Sequence, residues 1–196
     1  MPRTKQRTPD LRDHVLSVAV GLLAEEGVAG FTTRGVARRA ETSTPAVYEL
    51  FGDKWGLVRH VFFEGFRLLG RDLETLEESP DPGADLIELV RIYRRFLREN
   101  PALAEIMFSR PFTDFDPGLS ERQASASVRT FIVGHVGRGV EAGLIGGDPT
   151  DVAHVLVALV QGLANAEKAR RLGTTAASVD RRWDLAVRSL LDGLAP

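Results

Sequence analysis

Residues 32–54 gather hydroxyl, guanidinium, phenol and ammonium groups into one short stretch of chain. Thr33 and Arg34 stand near its start, Ser43, Thr44, Pro45 and Ala46 in its middle, and Tyr48 and Lys54 toward its end. None of them forms a nucleophile–base pair. Their shared chemistry is recognition of a polyanion. Arginine and lysine neutralise phosphates, and a tyrosine hydroxyl reaches a phosphate oxygen. Small hydroxyl and apolar side chains suit base edges and thymine methyls.

The rest of the chain offers little rival chemistry. Cysteine is absent, which excludes disulfide frameworks, thiolate zinc sites and thiol catalysis. His14, His60, His135 and His154 include no His-x-x-x-His pair. Asp114-x-Asp116-x-Gly118 lacks the full spacing and terminal Glu of a calcium loop, so it reads as a cap or turn. There is no Gly-x-Ser-x-Gly, phosphate-binding glycine loop or dinucleotide fingerprint. No metal, cofactor or enzymatic activity is therefore expected. The net charge of −2 supports no argument about partners. Placement of the cations has to carry it.

The elements that position these groups are helical almost throughout. Leu11, Val15, Val18 and Leu22 mark a first helix that Gly27 ends. Thr32 or Thr33 caps a short second helix reaching about Ala40, with Val36, Ala37 and Ala40 inward. Glu41, Thr42 and Ser43 make a three-residue turn. Thr44 then reads as an N-cap and Pro45 as the first residue of a third helix ending near Phe51. Asp53 caps a long fourth helix striped by Trp55, Val58, Phe62, Phe66, Leu69, Leu73 and Leu76. Ser79–Gly83 is a linker. Further helices are expected over 84–100, 101–109, 119–142, 150–172 and 178–194. The fold class is all-α, about nine helices in total. Val155–Val160 is the longest apolar run in the C-terminal half, far short of the roughly 20 residues of a membrane span. The basic Arg3, Lys5 and Arg7 precede an apolar stretch, but Asp10, Asp13 and Glu25-Glu26 make it an amphipathic helix, not a leader.

Two short helices around a three-residue turn, with a helix before them, form a helix-turn-helix that sets its second helix in a DNA major groove. Thr32-Thr33-Arg34-Gly35-Val36-Ala37-Arg38-Arg39-Ala40, Ser43-Thr44-Pro45-Ala46-Val47-Tyr48-Glu49-Leu50-Phe51 and Asp53-Lys54-Trp55-Gly56-Leu57 together resemble the DNA-binding domain of the TetR family of transcriptional regulators. The likeness covers about residues 10–70. It implies a three-helix head over 1–52, with the helix-turn-helix at about 32–51. A ligand-binding and dimerising body of roughly six helices follows over 53–196. The implied function is sequence-specific binding to a palindromic operator, as a repressor released by a small molecule. The implied location is the cytoplasm, on the nucleoid when DNA-bound. Thr33, Arg34, Ser43, Thr44, Pro45, Ala46, Tyr48 and Lys54 are the expected DNA contacts. Arg38 and Arg39 stay open between phosphate contact and surface charge. Glu41 and Thr42 depart from the Gly and Val usual in this turn. A non-Gly residue does not readily take positive φ, so a differently shaped turn is expected.

The resemblance also implies an inducer cavity. Its candidate residues are Phe62, Phe66, Tyr93, Phe96, Met107, Phe108, Phe131, His135, Gln161 and Asn165, which suit an apolar or aromatic effector. The same aromatics equally fill a helical core. The 150–172 helix is apolar nearly all round from Val152 to Leu163, which asks for a second partner surface. Val152, Leu156, Leu159 and Leu163, with Trp183, Val187 and Leu190, are the expected homodimer contacts. Two alternatives remain: a ligand sensor or carrier on this scaffold with weak or lost DNA binding, and an enzyme, for which no catalytic pair is found.

Overall fold

The computed structural model describes residues 8–108 and 118–196, and the side chains of all of these except 8, 9 and 120–122. The N-terminal Arg3, Lys5 and Arg7, and Asp114 and Asp116 of the acidic run, lie outside the described residues. The described chain is all helix and turn: α1 Thr8–Gly30, α2 Thr33–Arg39, α3 Thr44–Phe51, α4 Lys54–Leu73, α5 Pro82–Glu99, α6 Pro101–Phe108, α7 Leu119–Ala124, α8 Ala126–Glu141, α9 Pro149–Lys168 and α10 Ala176–Gly193. The all-α class holds. The helix expected over 119–142 is interrupted at Ser125, which separates α7 from α8. Gly27, at φ +68°, breaks α1 where its end was expected.

Local chemistry sets the boundaries. Asp81 Oδ1 accepts the N–H groups of Gly83 and Ala84 at 3.0 Å each. Pro82 thus becomes the first residue of α5, two earlier than expected, where its missing N–H costs nothing. Asp148 caps α9 in the same way through Thr150 and Asp151, again with a proline first. Thr175 and Ser178 form a reciprocal capping box on α10.

Packing sorts the elements into two compact units. The first holds α1–α3, α4 as far as Leu68, α6 and α7. Its core comes from Val15, Ala19, Leu22 and Leu23 of α1, Phe31, Val36 and Ala37, Val47 and Phe51 of α3, and Leu57, Val58 and Val61 of α4. α6 lies against α1. α4 meets α6 at Gly65, where a Cβ would stand 2.9 Å from Met107 Cγ. The second unit holds the end of α4 from Leu69, then α5, α8, α9 and α10. Here α5 packs on α8 and α9, α8 on α9, and α9 on α10.

Candidate nucleic-acid interface

The α2–turn–α3 corner is built by two hydroxyl caps. Thr32 Oγ1 accepts the Gly35 N–H at 3.0 Å, and Ser43 Oγ accepts the Ala46 N–H at 3.2 Å. Ser43, not Thr44, is therefore the N-cap of α3, and Pro45 is its second residue. Such a cap contributes about 1 kcal/mol. It uses an acceptor lone pair of Ser43 and leaves the hydroxyl proton available to an outside acceptor. Val47 and Phe51 are the buried residues of α3. The opposite side is solvent-facing, with Pro45, Glu49 and Tyr48 exposed, Tyr48 to 43%. Neither α2 nor α3 has an acidic residue in its first turn, so their N–H-rich ends keep their partial positive charge.

The turn corrects one expectation. Glu41 does adopt positive φ, at +53°. Its N–H reaches the Arg38 carbonyl at 3.3 Å, and the Thr42 N–H reaches the Ala37 carbonyl at 2.9 Å. This is a Schellman termination in which glutamate occupies the position glycine normally takes. The turn keeps its shape, and the cost is borne as backbone strain at Glu41.

The expected contact residues divide by exposure. Arg34, Ser43 and Pro45 are exposed, and Thr44, Ala46 and Lys54 are half-buried. Thr33 is a correction: it is buried at 6% exposure. It precedes Val36 and Ala37 by three and four residues, so it shares their inward face. Arg39 is tied to Glu25 and Glu26 of α1, while Arg38 faces solvent. Lys54 Nζ lies 5.0 Å from the Trp55 ring centroid, a cation–π contact that holds the charge at the α3–α4 junction.

A second layer supports α3 from behind. Arg12 of α1 donates through Nη1 to the Leu50 carbonyl at 2.9 Å and through Nη2 to His60 Nε2 at 2.6 Å. Its guanidinium carbon lies 5.1 Å from the Phe51 ring centroid. The His60 ring is edge-on to Phe51 at 5.3 Å and to Phe63 at 5.9 Å. Burial, then the neighbouring Arg12 and Arg59 charges, lower the His60 pKa below the usual histidine value. Asp53 Oδ1 accepts the Gly56 N–H at 2.7 Å, the cap expected for α4. Gly56 is buried against the Phe51 carbonyl so closely that no side chain fits. Sequence reasoning missed Arg12 and His60. Their partners lie 38 and 48 residues away from Arg12, beyond any periodic signal.

The other expected site residues fall in both units. In the first, Phe62 and Phe66 pack at 4.9 Å, and Phe66 meets Phe108 edge-on at 5.7 Å. Met107 is buried beside Gly65. In the second, Tyr93 and Phe96 are buried, and Gln161 Nε2 donates to the Tyr93 hydroxyl at 3.2 Å. Burial pushes the Tyr93 pKa up to about 12, so the phenol stays protonated. His135 is buried and its ring lies 4.3 Å from that of Phe131. Its Nδ1–H donates to the Phe131 carbonyl at 3.0 Å, while Nε2 has no partner among the described residues. Asn165 is a correction, because it lies exposed on α9.

The expected dimer residues also need correction. Val152, Leu156, Trp183 and Val187 are buried within their own chain and cannot face a second copy. Leu159, Leu163 and Leu190 are half-buried, while Val155 and Leu185 are 51% and 66% exposed. Trp183 is consumed by a polar network. Its Nε1–H donates to Glu167 Oε2 at 2.7 Å, and Arg94 lies 4.7 Å from its ring centroid. Arg94 grips Glu167 with two bonds of 2.9 Å and Asp180 with a third of 2.9 Å.

Comparison with known proteins agrees with this geometry. Residues 15–61 match the family model of bacterial regulatory proteins of the tetR family, and residues 86–190 match the tetracyclin repressor-like C-terminal domain. No curated protein matches the sequence. Among solved structures, a protein of unknown function from Rhodococcus sp. RHA1 is similar at 27% identity and TM-score 0.81, over 95% of this chain and 96% of that one. A TetR family transcriptional regulator from Thermus thermophilus is similar at 20% identity and TM-score 0.67, over 89% and 97%. TetR from Acinetobacter baumannii AYE, in complex with minocycline, is similar at 19% identity and TM-score 0.65, over 91% and 93%. With both its N-terminal and its C-terminal regions matched, the chain belongs to the TetR family of bacterial regulatory proteins.

Proposed function

We propose that this protein binds a palindromic operator as a homodimer and represses transcription until a small apolar or aromatic molecule releases it. The observation that carries DNA binding is α3 itself. Its inner face is spent on Val47 and Phe51, while Ser43, Pro45 and Tyr48 stay open to solvent and Thr44 and Ala46 are half-buried beside them. Residues 1–52 are the proposed head and 53–196 the proposed sensing and dimerising body. Arg34, Tyr48 and Lys54 contact phosphates, and Ser43, Thr44, Pro45 and Ala46 face base edges. In the dimer the two recognition helices stand about 34–36 Å apart, one helical turn of DNA. The exposed Val155 and Leu185, with Leu159, Leu163 and Leu190, form the two-fold contact in place of the buried residues of the same helices. In the body the effector is oriented by Tyr93, Gln161 or His135. The protein works in the cytoplasm, on the nucleoid when bound.

Fluorescence anisotropy with DNA from upstream of the protein's own gene, titrated with salt, tests this function. Arg34→Ala and Lys54→Ala should each lower the salt slope by about 1 per subunit and weaken operator and random DNA alike. Changes at Thr44 or Ala46 should alter sequence preference instead. A wild-type chain that binds this DNA no better than random DNA would favour a sensor or carrier without operator binding.

A further inference from the structure

The α1–α3–α4 junction holds a titratable group in the position where its protonation would do most damage. Arg12 can only donate hydrogen bonds. The same Nη2 lies 3.4 Å from His60 Nδ1 and 2.6 Å from Nε2, so it faces both ring nitrogens, and the nearer, Nε2, must offer the accepting lone pair, which places the neutral ring's proton on Nδ1. The same guanidinium is bonded to the Leu50 carbonyl, in the last turn of α3, and lies against the Phe51 ring. One cation thus ties the end of the recognition helix to α1 and, through His60, to α4. The charged groups facing His60 are Arg12 from α1 and Arg59 from α4 itself. From α3 its neighbour is the uncharged Phe51 ring, and among the described residues no carboxylate contributes to its titration. A proton on Nε2 would remove the acceptor and set imidazolium against guanidinium.

We propose that Arg12 and His60 form a proton-sensitive latch that positions the recognition helix, closed when His60 is neutral and opened by its protonation. Arg12 and His60 are positioning residues; neither touches DNA. The consequence for operator binding rests on the function proposed above, but the latch itself does not. The sign follows from linkage. The closed latch lowers the His60 pKa, so the binding-competent state takes up fewer protons than the open one. Its advantage is complete above about 6.5, the ordinary histidine value. It is lost as pH falls from there through the lowered value.

The test compares the full-length wild type with His60→Gln, whose side-chain oxygen can still accept from Arg12 but does not titrate. Operator affinity is measured from pH 7.5 to 5.5 at constant salt, with random DNA in parallel. The two proteins should bind alike at pH 7.5. By pH 5.5, about one unit below the ordinary histidine value, the wild type should lose affinity relative to the variant by up to about tenfold per protomer. Arg12→Gln should weaken binding at pH 7.5 and flatten the profile. Parallel profiles for wild type and His60→Gln overturn the proposal. NMR titration of the wild-type histidine ring protons, assigned by the signal absent from His60→Gln, gives a readout that needs no DNA. A His60 midpoint at or above 6.5 overturns the latch even if operator binding is lost for another reason. A depressed midpoint without any specific DNA binding sustains the latch and refutes the proposed function instead.

Discussion

Replacing Gly56 with alanine should loosen the joint between α3 and α4. A Cβ at this position would lie 2.9 Å from the Phe51 carbonyl carbon and closer still to its oxygen. Carbon atoms in good contact stand about 3.5–4.0 Å apart, so the carbonyl carbon alone demands a shift of about 0.6–1 Å, and the nearer oxygen demands more. Both sides of the clash are main chain, and no rotamer change relieves it. With main chain on both sides the cost lies at the upper end of the about 1–3 kcal/mol usual for overpacking, against which alanine's better helix propensity returns about 1 kcal/mol. Displacement would also strain the Gly56–Asp53 cap bond. A net loss of about 2 kcal/mol corresponds to a fall of about 4–8 °C in thermal midpoint for a chain of this size. Because Phe51 ends α3, the proposed recognition helix, affinity for the proposed operator should fall further than affinity for random DNA. Scanning calorimetry and anisotropy on the Gly56→Ala protein check both. A midpoint within about 1 °C of wild type, with unchanged operator affinity, would refute the close-approach argument.

Glu41→Gly should relieve the strain of a left-handed glutamate and stabilise the protein by about 0.5–1 kcal/mol by urea titration. It should also tighten DNA binding by removing an acid from the turn, whereas Arg170→Gly, at φ +56° in the second unit, should stabilise without that gain. Asp85 is buried and bonded to the Ser79 hydroxyl and N–H and to Arg138, which hold its carboxyl at about 2. Its contribution should be complete above the ordinary carboxylate value and lost as pH falls through about 2, so the gap in urea midpoint between wild type and Asp85→Asn should narrow in acid. Arg94→Ala leaves Glu167 with only the Trp183 donor among the contacts described, and should cost about 2–3 kcal/mol by urea titration.

Signals within one turn of helix or one cap were legible in the sequence. The stripes of α1 and of α4 as far as Leu73, the break at Gly27, the Asp53 cap and the helix-turn-helix all lie within a few residues of their cause, whereas Leu76, the last residue of the expected stripe, lies beyond the end of α4. The one-residue error at Ser43 arose because two adjacent hydroxyls can each cap, and only backbone geometry chooses between them. Facing was harder to read. α9 is apolar on several sides, so its pattern could not tell Val152 and Leu156, which turn inward, from Val155, which does not. Thr33 was misread for a related reason: a hydroxyl in a polar run looks exposed until its three-residue spacing to Val36 is weighed. Arg12 with His60, and Arg94 with Glu167 and Trp183, depend on packing across long sequence separations and left no local trace.

The two tryptophans have a practical consequence. The chain has only Trp55 and Trp183, one in each compact unit. Trp55 is partly exposed beside the Lys54 ammonium at the candidate DNA face. Trp183 is buried under Arg94 with its indole N–H bonded to Glu167. The protein therefore carries its own pair of optical reporters in unlike surroundings. Trp183→Phe leaves emission from the first unit alone, and Trp55→Phe leaves that from the second. Events at the candidate DNA face and in the α9–α10 region can then be followed separately, in the same solution conditions and without an added label.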